Sequence, residues 1–159
     1  MLKLHLLVGS IVFGLLIFRL IWGLVGTEYS RFSDFICSFR QVIEHLRALV
    51  HLRSAHHMGH TPTGGIMILL LLTGLLALTV SGVFLYSLEN SSAPFFGLMA
   101  GVDLDSILLI ENLHGLIADG LALLIIFHVA GVLVESLLQK QNLIRAMITG
   151  YKTAGKENV

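Results

Sequence analysis

The chain has one cysteine, two prolines and one tryptophan among 159 residues, and only 13% of it is charged. A lone Cys37 cannot close an internal disulfide and offers no second thiolate for a cysteine metal site. Ten basic residues balance ten acidic ones and the isoelectric point is near 7.1, so no cationic excess points to nucleic acid. What fills the chain instead is apolar: 55% hydrophobic residues and a mean hydropathy of +0.87, gathered in runs. In water such a chain would expose too much apolar surface, and the reading is an all-α membrane protein. Its length supplies three or four spans and no separate soluble catalytic domain, which argues against complicated catalysis.

Three apolar runs reach the roughly 20 residues needed to cross a hydrocarbon core about 30 Å thick. They cover residues 4–25, 66–86 and about 113–138, within one membrane domain spanning 1–159. The first follows a single Lys3 and looks like a signal peptide, but no small-x-small cleavage site follows it. Arg19 and Trp22 near its end resemble interface anchors, so it is read as a retained span. Between the first two runs, residues 38–53 put Phe39, Val42, Ile43, Leu46, Leu49 and Val50 on one helical face, and Arg40, Glu44, Arg47 and His51 on the other. This is the pattern of a short interfacial helix, and packing against another subunit would look the same.

Charge orients the spans. Arg31, Arg40, Arg47, Arg53, Lys140, Arg145, Lys152 and Lys156 fall on the side holding residues 26–63 and the C-terminal tail, with Arg19 near that face. The opposite side has Lys3 beside Glu89, Asp103 and Asp105. The positive-inside rule then predicts a multi-pass membrane protein with a cytoplasmic C-terminus. Met1 would begin outside with no preceding segment to carry it there, and the expectation is that a first helix is missing, whether by a late start or in a shortened form.

The histidines of the spans fall into this frame. His114 and His128 are fourteen residues apart, which on a helix returns to within about 40° of the starting direction after about 21 Å of rise. His5 opens the first span at the depth of His114. Imidazoles from two helices at one level can clasp a flat cofactor, and haem iron accepts axial nitrogens in this way. The absence of Cys-x-x-Cys-His excludes covalent c-type attachment. Gly9, Gly115 and Gly131 near these histidines would leave room for a macrocycle. Taken singly, a histidine at a span terminus is an ordinary interface residue; His128, well inside the hydrocarbon, is a functional candidate by its cost alone. Asp119 points about 140° away from His114, toward another helix or water. Glu111 and Glu135 flank the ligand candidates as solvated rim charges or as partners of imidazole N–H groups.

Several stretches carry a resemblance: "LHLLVG" around His5, "FRLIWGLVGTEYSRFSDF", "GHTPTGG", "LHGLIADGLALLIIFHVAGV" with its paired histidines, and "NLIRAMITGYK". Over nearly the whole chain the sequence resembles the bacterial cytochrome b561 and Ni,Fe-hydrogenase cytochrome b subunit family. The resemblance implies three transmembrane helices of a four-helix haem-binding bundle plus the interfacial helix. It implies b haems held by paired histidines, with His5 and His114 on the one nearer the periplasm and His128 on the one nearer the cytoplasm. The family's first helix, which bears the mate of His128, has no counterpart here. The expectation is therefore one haem b, or two if that helix is supplied.

The resemblance further implies electron transfer between a periplasmic or membrane redox partner, such as a cytochrome c or a hydrogenase-type subunit, and the quinone pool. The protein would be an electron carrier more than a stand-alone enzyme, embedded in lipid and compatible with a homodimer. Arg19, fourteen residues after His5, is a candidate for a haem propionate or a snorkelling anchor. His60, opening the second span, is a candidate hydrogen-bond donor to a quinone carbonyl. The cluster His45, His51, His56, His57 and His60 could bind zinc or copper, although no acidic or thiolate companion follows. Two rival readings stay open: a haem-poor anchor subunit of a larger redox complex, and a proton or metal transporter using His128 and Asp119.

Overall fold

The structure, a computed structural model, describes residues 2–27, 30–35, 38–50, 62–90, 93, 95–99, 101–138 and 145. The described residues form helices and turns in the order α1 (Leu2–Val25), a 3-10 turn (Phe32–Phe35), α2 (Phe39–Val50), α3 (Pro62–Glu89), α4 (Phe96–Met99) and α5 (Leu104–Leu138). The all-α class is as the apolar runs predict. Three helices, α1, α3 and α5, are long and apolar enough to cross a membrane.

The helix ends explain the bounds. At α2, Ser38 and Gln41 form a reciprocal cap: the Gln41 amide donates to Ser38 Oγ at 3.3 Å, and the Ser38 amide donates to Gln41 Oε1 at 2.9 Å. At α5, Asp103 accepts from the Ser106 amide at 3.3 Å and from the Ser106 hydroxyl at 2.7 Å. The third helix thus starts nine residues upstream of the apolar run that marks it in the sequence, because a cap and not a change of polarity begins it. Gly101 precedes the cap with φ of 91°, a conformation costly for any residue with a Cβ, and turns the chain from α4 into α5. Pro62 opens α3, where its missing N–H costs nothing.

The chain divides into two compact units. The first holds residues 1–26 and 70–123: α1, most of α3, α4 and the first part of α5. Its α3 and α5 approach closely where Gly74 faces Leu121, since a Cβ on Gly74 would lie 2.9 Å from Leu121 Cδ2. Small residues allow such contact between helices whose apolar surfaces gain nothing from leaving lipid. Leu16, Gly23 and Leu121 are buried in this unit, while Leu4, Leu7, Leu15, Leu116 and their neighbours face outward, as lipid-facing side chains would. The second unit holds residues 27–69 and 124–159: α2, the start of α3 and the end of α5. Val42 and His45 of α2 are buried there, whereas Arg40, Glu44 and Arg47 are exposed, with Arg40 donating to Glu44 at 2.8 Å.

Candidate functional site

In the first unit, α1 brings His5 and α5 brings His114 together. Their ring centroids are 6.2 Å apart and their planes 80° apart. With metal–nitrogen bonds of about 2 Å on opposite sides of one ion, two imidazole centroids would be about 6.3 Å apart. The separation therefore fits a metal held between the rings. A b-type haem fits these donors: two imidazoles, no thiolate, and outward-facing leucines around them.

Helix α3 supplies the seat for His114. Ser81 Oγ lies 2.9 Å from His114 Nδ1, and Ser81 Oγ also donates to the Leu78 carbonyl at 3.0 Å. Next along, Gly82 lets the ring rest against bare backbone, for a Cβ there would lie 3.1 Å from His114 Cε1. Neither Ser81 nor Gly82 stands out in the sequence, where a serine and a glycine in an apolar helix read as packing residues. The available signal was a single polar pair, "SG", interrupting the run "LALTVSGVFLY".

The other candidates are not gathered at this pair. Arg19 is half-buried on α1. Asp119 and Glu111 are exposed on α5. His128 is half-buried on α5 in the second unit. His60, with His51, His56 and His57, lies outside the described residues. Among the described residues no group of three or more metal-ligating side chains occurs.

His45 stands apart from the histidines that follow it in the chain. It is buried on α2, in the second unit, between two other helices. Its Nδ1 is 3.0 Å from Thr63 Oγ1 on α3, and its Nε2 is 3.5 Å from Glu135 Oε1 on α5. Glu135 is thus a buried interhelical group and not the solvated rim charge its position suggested.

The profile of the prokaryotic cytochrome b561 family matches residues 1–150. The chain belongs to that family. No curated protein and no solved structure matches the chain. Membership in the cytochrome b561 family makes this a multi-pass membrane protein of the b-type cytochromes, which bind haem b and act in electron transfer.

Proposed function

We propose that His5 and His114 are the axial ligands of one haem b, through which the chain passes electrons between a periplasmic or membrane redox partner and the quinone pool. The observation that supports this most directly is the 6.2 Å between the two rings. Bound haem supplies a one-electron couple. His5 and His114 would hold the haem from both sides, and with no position left for dioxygen or peroxide a shuttle would be favoured over an oxygenase. The bilayer around these exposed apolar side chains would keep water from the pair, and the contacts of the imidazoles would set the potential.

The proposal extends to His128 as a ligand of a second haem, to Arg19 as the partner of a propionate, and to His60 as donor to a quinone carbonyl. The redox partner on the periplasmic side would be a cytochrome c or a hydrogenase-type subunit. The membrane is the bacterial inner membrane on this reading, with the C-terminus in the cytoplasm.

Haem quantification by the pyridine haemochrome method on the full chain tests the core of the proposal. His5→Ala and His114→Ala should each abolish the same haem, while Asp119→Asn should keep it. Unchanged haem content and reduced spectrum in both histidine variants would overturn the assignment. A colourless wild-type protein would instead favour an anchor subunit.

A further inference from the structure

Ser81 Oγ has two neighbours, the Leu78 carbonyl and His114 Nδ1, and how it serves them bears on where the proton of His114 sits. A serine hydroxyl has one proton and can accept through its oxygen lone pairs. Ser81 is placed to donate that proton to the Leu78 carbonyl at 3.0 Å, three residues back along its own helix. With that proton given to Leu78, its oxygen, 2.9 Å from His114 Nδ1, could only accept there, which would make the imidazole the donor with its proton on Nδ1. A neutral imidazole protonated on Nδ1 has its lone pair on Nε2. The opposite arrangement, with Ser81 donating to Nδ1, would put the ring proton on Nε2 and block that nitrogen from iron. Gly82 adds a steric hold: the ring rests at its Cε1 edge on a backbone without a Cβ, so the ring is held at two neighbouring atoms.

We propose that Ser81 is a positioning residue that fixes the tautomer and orientation of His114 and lowers the reduction potential of the haem ligated by His5 and His114. This rests on the haem reading above. An Nδ1–H that donates to an oxygen makes the imidazole a stronger electron donor through Nε2, which favours the oxidised iron. A hydroxyl does this less than a carboxylate would, so Ser81 sets an intermediate value. The hydrogen bond also opposes rotation of the ring about its Cβ–Cγ bond.

The test uses the full chain purified with its haem, comparing Ser81→Ala and Ser81→Thr with wild type by potentiometric titration and by electron paramagnetic resonance of the oxidised protein. Ser81→Ala should raise the potential of one titration step and change the low-spin signal, and Ser81→Thr should restore both. Equal potentials and equal signals in all three would overturn the proposal, as would a lowered potential in Ser81→Ala. Haem loss in Ser81→Ala with retention in Ser81→Thr would support it. A second readout needs no haem: nitrogen-15 shifts of His114 in the haem-free chain, assigned by difference from His114→Gln. They should show an Nδ1-protonated ring in wild type and a tautomer mixture in Ser81→Ala. An Nε2-protonated ring in wild type overturns the Ser81 assignment even where the haem reading stands, and wild-type protein without haem fails that reading while this measurement still decides the role of Ser81.

Discussion

At the scale of single residues, an imidazole in a membrane helix gets its meaning from the few atoms around it. The meeting of His5 and His114 was legible because depth in a span can be counted along a helix, and the two counts put them at one level. Ser81 and Gly82 were not, since only their approach to His114 distinguishes them from packing residues. Gly82→Ala tests how tightly that ring is seated. Its new Cβ would lie 3.1 Å from His114 Cε1, so the ring must yield by a few tenths of an ångström. If His5 and His114 hold the haem as proposed, the chain should still bind it but show an altered low-spin resonance, because that signal would depend on the angle between the two imidazole planes, 80° here. Gly82→Leu, which cannot be accommodated by so small a shift, should lose the haem. His45 was not singled out within the helix of residues 38–53; its distance of three residues from Val42 puts it on the buried face of α2.

At the scale of elements, the interiors of the helices were easier to read than their ends. An apolar run shows where a helix can lie in lipid, but hydrogen bonds begin and end it, which is why α5 starts at the Asp103 cap. At 35 residues α5 is about 52 Å long, more than the roughly 30 Å core requires, so its polar first turns can extend beyond the hydrocarbon. The Ser106 hydroxyl and amide hold the Asp103 carboxyl below its usual 3.8. A depressed folded-state value means the cap stabilises the helix above the ordinary carboxylate range, and the effect fades as pH falls through the lowered value. Amide exchange at Ser106 and Ile107 should accelerate in Asp103→Ala at neutral pH, and the wild type should approach the variant only in strong acid. In the second unit, α2, α3 and α5 meet through Thr63, His45 and Glu135. Thr63→Val removes the oxygen beside His45 Nδ1 at nearly constant volume. It should destabilise the protein by about 1 kcal/mol in detergent unfolding, and Thr63→Ser should recover most of this. Equal stability of Thr63→Val and wild type would show that this contact is incidental.

At the scale of the whole molecule, the fold class was legible because lipid permits so few structures. A chain with three long apolar runs and little charge must satisfy its backbone within helices, and the described residues do so. Orientation follows from a weaker asymmetry. Three spans put the segment after α1 and the segment after α5 on one face of the membrane, and Arg31, Arg40, Arg47 and Arg145 all belong to these segments. The segment between α3 and α5 contributes the exposed Asp103 and Asp105 instead. Basic residues near span ends resist translocation, whereas acidic ones matter little, so the arginine-bearing face should remain cytoplasmic. Arg40 pairs with Glu44 on the exposed side of α2, but an exposed pair of this kind is worth at most about 1 kcal/mol and leaves Arg40 available to the membrane surface. The expected outcome is measurable with reporter fusions. A fluorescent protein joined after residue 159 should be bright and alkaline phosphatase at the same point inactive, while phosphatase inserted between α3 and α5 should be active. Phosphatase activity at the C-terminus would reverse the orientation and put the His5–His114 pair at the opposite face. Replacing Arg31, Arg40 and Arg47 together should produce a mixed population of both orientations if these charges, and not the apolar spans alone, decide the matter.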